Sequence, residues 1–160
     1  MGGMASGTYA AQTAVTSEKS RNEIERTLTR YGASSFAYGW EGPQAMIGFV
    51  MAGRQIRFLL PLPDASDRAF TRTPTGRGRS ATEATKAHEQ AVRQRWRALA
   101  LIVKAKLEAV ESGIVTFESE FAMHMILPDG RSVADHVMPA IESAYRTGSV
   151  APMLQIGASR

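Results

Sequence analysis

Twelve of the chain's nineteen Lys and Arg residues fall between Arg54 and Lys106, opposed there only by Asp64, Asp67, Glu83 and Glu89. That stretch carries a formal charge of +8, whereas residues 1–53 are neutral and residues 107–160 sum to −4. A focused positive field concentrates polyanions, and nucleic acid is the commonest of them. Phosphate contacts draw their binding free energy largely from counterion release, which needs many such cations. Arg68, Arg72, Arg77 and Arg79 lie among Thr, Pro, Gly and Ser and are expected to clamp phosphates from a mobile loop. Arg57, Arg93, Arg97 and Lys104 are expected to form the fixed part of a groove. Arg54 begins the same segment as Arg57 but falls on the opposite face if the alternation is strict.

Single strands also bind by stacking bases on aromatic or guanidinium planes. Phe36, Tyr38 and Trp40 are in phase on one strand face, which is either core or a stacking platform. Phe70 is a further candidate ring, while Trp96 lies in line with an apolar helical stripe and reads as core.

Other chemistries find little footing. With no cysteine, disulfides and thiolate metal sites are excluded. His88, His124 and His136 show no ligand spacing. Thr75-Gly76-Arg77-Gly78-Arg79-Ser80 lacks the Gly-Lys-Ser/Thr ending of a phosphate loop. Glu118, Glu120, Asp129 and Asp135 leave a metal-dependent nuclease as a minor alternative, although Glu118 and Glu120 at i,i+2 do not face each other on a helix. No cofactor is called for. The absence of cysteine suits a reducing cytoplasm, no apolar run is long enough to span a bilayer, and the first residues lack the pattern of a secretory signal.

The elements that position these residues follow from periodicity. Ile24, Leu28 and Tyr31 share a helical face in a segment starting near Ser17 and stopped by Gly32. Residues 35–40, 45–51 and 54–60 alternate as three strands, turned by Gly42-Pro43 and Ala52-Gly53, and Pro61 and Pro63 end the sheet. Residues 64–80 read as a mobile basic loop. Ser80 and Glu83 have capping-box spacing ahead of a long helix whose apolar stripe is Val92, Trp96, Leu99, Val103, Leu107 and Val110. A helix over residues 116–127 and another from Ser132 complete the pattern, with Pro139 expected to kink or break the last. Eight methionines, three of them near the acidic end, could serve core or an adaptable surface.

Three runs carry a resemblance: residues 93–110, beginning Arg93-Gln94-Arg95-Trp96-Arg97, residues 24–32, and Leu127-Pro128-Asp129-Gly130. Together they resemble a family of small proteins of uncharacterised function carried by actinobacteria and their phages, over about residues 9–154. The resemblance implies a phage or prophage setting and transfers no catalytic residue. The order helix, three-stranded meander, basic loop and long helix is similar to the core of single-strand annealing proteins such as RecT and Red-beta. Those proteins lay DNA in a positively charged groove and assemble as rings or filaments.

The expectation is an α+β domain over residues 16–147, preceded by a flexible arm (1–15) and followed by a tail (148–160). It comprises an N-terminal helix, a three-stranded antiparallel meander, a long helix packed across the sheet and two short C-terminal helices. The expected partner is nucleic acid, single-stranded DNA first, bound without chemistry on the strand. Self-association is a further expectation, because the acidic third suits a neighbour's basic region. The alternative is a phage-encoded protein whose basic face docks on a host protein.

Overall fold

A computed structural model of the protein describes residues 3–153, with side chains from Ser17 onward. The fold is α+β: α1 (Gly3–Arg30), β1 (Ser34–Glu41), β2 (Gln44–Met51), β3 (Arg54–Pro61), α2 (Arg68–Thr71), α3 (Ala81–Glu111), α4 (Phe117–Phe121) and α5 (Val133–Thr147). The strands form one antiparallel sheet in the order β1-β2-β3. Ala52 and Gly53, at φ +50° and +69°, make the tight β2–β3 turn, whose left-handed backbone matches the twist of the strands. Between Ser34 and Ala37 the β1–β2 register shifts at a bulge, with Ser35 at φ +56°.

Alternation then sorts the sheet into two faces. Ile47, Phe49, Ile56, Phe58 and Leu60 are buried beneath α1, which contributes Ile24 and Leu28, and α3, which contributes Val92, Trp96, Leu99, Val103 and Leu107. Phe49, Phe58 and Phe121 pack edge and face, tying α4 into this core. The Tyr38 hydroxyl donates to the Arg21 carbonyl oxygen at 3.1 Å, pinning β1 to α1. Burial, and then the Glu25 carboxylate beside it, push that phenol up to about 12. Phe36, Tyr38 and Trp40 are half-buried against the core, so this strand face is packing and not an open stacking platform. The indole N–H groups of Trp40 and Trp96 are buried without a hydrogen-bond partner, and nothing in the structure explains them.

Four expectations are corrected. The first helix starts at Gly3, where a flexible arm was expected over residues 1–15; Ala5, Ala10, Ala11 and Ala14 favour helix, and no proline interrupts propagation once a nucleus exists. The helix expected over residues 116–127 ends early, in a 3-10 turn (Ala122–His124). The next residues pair with the free edge of β3 through an Ile56–Met125 bridge, the Ile126 N–H donating to the Gln55 carbonyl oxygen at 2.8 Å. An open edge with unpaired backbone groups outcompeted another helical turn. The mobile loop over residues 64–80 is instead a folded strap. Finally, α5 runs through Pro139 unbroken. Proline leaves the Asp135 carbonyl without its i+4 donor, and the Arg131 guanidinium supplies one at 3.1 Å. The Gly32 stop, the capping box of Ser80 and Glu83, and the apolar stripe of α3 stand as expected.

Candidate nucleic-acid interface

The strap is built by short-range hydrogen bonds. Asp64 accepts from the Ser66 N–H and hydroxyl at 2.8 and 2.7 Å, and Asp67 caps α2 by accepting from the Ala69 N–H at 2.8 Å. Those bonds to Ser66 hold the Asp64 carboxyl below its ordinary range. A turn at Thr73-Pro74-Thr75-Gly76 closes with the Gly76 N–H on the Thr73 carbonyl oxygen at 2.8 Å, proline sitting at its favoured second position. The arms on either side pair, Arg72 opposite Gly78, and the Arg79 N–H reaches the Thr71 carbonyl oxygen at 2.8 Å. His88 of α3 secures the strap from below: its Nε2 donates to the Pro63 carbonyl oxygen at 2.8 Å, and the Phe70 ring meets its imidazole edge-on at 5.4 Å. Phe70 is thus an anchor for the strap, not a free stacking ring.

Three acids of this region serve the backbone. Asp64 and Asp67 hold turns, and Glu83 accepts from the Ser80 N–H at 3.0 Å in the capping box. Among the described residues no ion pair involves Arg68, Arg72, Arg77, Arg79, Arg93, Arg97 or Lys104. Arg68, Arg72 and Arg79 line a depression of about 440 Å³ together with Thr73 and Pro74. Arg72 also donates to the Gly76 carbonyl oxygen at 3.0 Å, which steadies its side chain, and Arg77 is exposed beside the turn. α2 packs on α3 on the side of that helix that carries His88, and Arg93 and Arg97, five and nine residues further on, lie round the other side.

On the flank of α3 that meets α1, Arg93 and Arg97 face Lys19, Ser20 and Glu23 across a groove of about 240 Å³. Gln90 accepts from Arg93 at 3.0 Å and aims it. Lys86, Arg93, Arg97 and Lys104 recur at spacings of seven, four and seven, so they form one stripe, with Lys104 about 10 Å beyond Arg97. Lys19 and Lys86 join the surface without having been singled out. The stripe spacing could have revealed Lys86, whereas Lys19 needs the packing of α1 on α3.

Arg54 and Arg57 do not join this surface. Arg57 alternates with Ile56 and Phe58, so it points to the sheet face opposite α1 and α3, where its guanidinium lies 3.7 Å from the Asp135 carboxylate of α5. Arg54 sits at the β2–β3 turn, about 23 Å along β3 from the end that leads into the strap. The acids weighed for a metal site are likewise dispersed. Glu120 holds Lys106 at 2.8 Å, Asp129 holds His136 at 2.7 Å, and Asp135 caps α5. Among the described residues no three His, Asp or Glu side chains gather as metal ligands. No helix there is long and apolar enough to cross a membrane.

No protein-family model matches this chain, and neither a curated protein nor a solved structure is significantly similar to it. What the chain does must therefore be read from its own side chains.

Proposed function

We propose that this chain binds nucleic acid through its phosphates, with single-stranded DNA the first ligand to test, and performs no chemistry on the strand. One observation carries the reading: among the described residues a folded strap and α3 present six arginines with no ion pair, while Asp64, Asp67 and Glu83 are committed to backbone turns and caps. Arg72 and Arg93 are steadied by hydrogen bonds, and a cation so held loses little conformational freedom when a polyanion displaces its bound anions. Arg68, Arg72, Arg77 and Arg79 grip the strand, and Arg93, Arg97 and Lys104 offer a second row of cations along α3. Base recognition in this scheme rests on guanidinium planes, since the aromatic rings nearby are packed into the fold.

The test is fluorescence anisotropy with labelled single strands of graded length and with duplex, across salt concentrations. Binding that saturates at a definite strand length and weakens steeply with salt supports the reading. Each Arg→Ala change in the strap then lowers the salt slope by roughly 0.7–1. No binding to any nucleic acid at low salt overturns it and turns attention to an acidic protein partner.

A further inference from the structure

The cations on the strap and those on α3 stand on different sides of one helix. The strap meets α3 at His88, which bonds the Pro63 carbonyl oxygen and meets the Phe70 ring. At 3.6 residues per turn, Arg93, Lys104 and Arg97 lie about 140°, 160° and 180° round the axis from His88. One arc between the two groups is filled by the core, where Val92, Trp96, Leu99 and Val103 are buried. The middle of the other arc is Ala87, Ala91, Ala98 and Ala105, which give a strand no cation to follow across it. Arg95, two turns on from His88, stays on the strap's side.

Each group forms a phosphate site of its own. In the strap, Arg68, Arg72 and Arg79 surround one depression, and the Gly76 carbonyl oxygen holds Arg72 at 3.0 Å. In the groove between α1 and α3, Lys19 stands across from Arg93 and Arg97, and Gln90 holds Arg93 at 3.0 Å. Ser20 and Gln94 add neutral donors there. Among the described residues Lys19, Arg93 and Arg97 have no ion pair, although Glu23 in the lining offsets one of their charges. The groove is therefore the weaker of the two sites.

We infer, on the nucleic-acid reading above, that the α1–α3 groove holds a second segment of nucleic acid while the strap holds the first, so that one chain bridges two strands. Two magnitudes decide that both sites can be filled together. The thickness of α3 with its side chains, about 10 Å, sets the least separation of the two segments. The screening length at physiological salt is about 8 Å, so segments that far apart repel each other little. A single short strand reaching both sites would have to leave phosphates over the alanine arc without cations.

Energy transfer between two oligodeoxythymidine strands of about ten nucleotides, one carrying a donor dye and one an acceptor, tests this on the full-length chain. Such strands cannot pair with each other. The wild type is expected to bind two strands per chain and to give transfer when strands are in excess, with the signal falling once chains outnumber strands. The double change Arg93→Ala and Arg97→Ala, at exposed positions, leaves one strand per chain and no transfer. Changing the four strap arginines to Ala also leaves one strand, held about a hundredfold more weakly, and no transfer. A mixture of the two variants stays silent, because neither can hold two strands. A wild type that binds one strand per chain without transfer overturns the inference and leaves the nucleic-acid reading standing. Transfer that persists in the Arg93 and Arg97 variant overturns it too, as does transfer that returns in the mixture, which would place the bridge between chains. Anisotropy that detects no strand on the wild type removes the nucleic-acid reading itself, and the bridge with it.

Discussion

The strap with the first half of α3, and the segment from Lys106 to α5, contain the same kinds of charged residue and arrange them in opposite ways. In the first, the carboxylates of Asp64, Asp67 and Glu83 accept from backbone N–H groups and the arginines face solvent. In the second, cations are matched to acids: Lys106 to Glu120, His136 to Asp129, and Arg57, which reaches in from β3, to Asp135. The Lys106 ammonium also lies 5.9 Å from the centre of the Phe121 ring. A count of charges cannot separate the two regions; the placement of each counter-charge can. Positive potential survives where acids are turned toward the main chain, and is cancelled where they are turned toward cations.

Substitutions can break this contrast from either side. Changing Arg68, Arg72, Arg77 and Arg79 together to Ala is expected to weaken binding to single-stranded DNA by about a hundredfold in moderate salt, with the melting temperature unchanged, because four phosphate contacts go and no buried partner is orphaned. Lys106→Ala is expected to do the reverse. Binding stays as it was, while chemical denaturation shows a loss of about 1–2 kcal/mol from the stranded, half-buried Glu120 carboxylate. If Lys106→Ala weakened binding as much as a strap substitution, the contrast between the regions would fail. Arg131→Ala should cost about 1 kcal/mol in the same measurement, because the Asp135 carbonyl oxygen loses its substitute donor. A companion Pro139→Ala change, which restores an N–H there, should make the loss of Arg131 harmless.

The smallest effect is a pH dependence belonging to the second region alone. Burial, and then the Lys106 ammonium, hold His124 below its ordinary 6.5, against the pull of Glu120 and of a hydrogen bond with the Arg57 backbone. The unfolded chain therefore takes up the proton before the folded one does. The contribution of neutral His124 to stability is complete above pH 6.5 and is lost as pH falls below it toward the depressed value. Denaturation midpoints should drop modestly on mild acidification, and His124→Asn should remove that part of the drop. A variant as acid-sensitive as the wild type would show that another group is responsible.

Most of the fold could be read from local pattern, because local pattern is what determined it. Ile56, Phe58 and Leu60 alternate, the stripe from Val92 to Val110 recurs at helical spacing, and Ser80 with Glu83 marks the helix start within four residues. The unread features each depend on something distant in sequence or on competition between backbone partners. Met125 and Ile126 became extended because β3, seventy residues earlier in the chain, offered an open edge. Arg131 could not be seen as the donor that keeps α5 continuous until the Asp135 carbonyl was known to lack one. The strap followed the same logic, since Thr, Pro and Gly signalled turns while only the pairing of Arg72 with Gly78 closed them into a hairpin. At the site, the charge density of the strap and α3 was visible, but the separation of Arg57 from Arg93 and Arg97 needed the helices to be placed on one face of the sheet.

The bulge at Ser35 bears on how copies of this protein can meet. Met125 and Ile126 cover the start of the β3 edge, and among the described residues no strand pairs with the outer edge of β1. A long flat edge there would template another strand and invite fibrous aggregation. With the chain buckled between Ser34 and Ala37, that edge is bent at its start and only Ala37 to Glu41 keep regular register. Each outer strand of the sheet is thus interrupted near its start, which shortens the flat edge that another strand could extend.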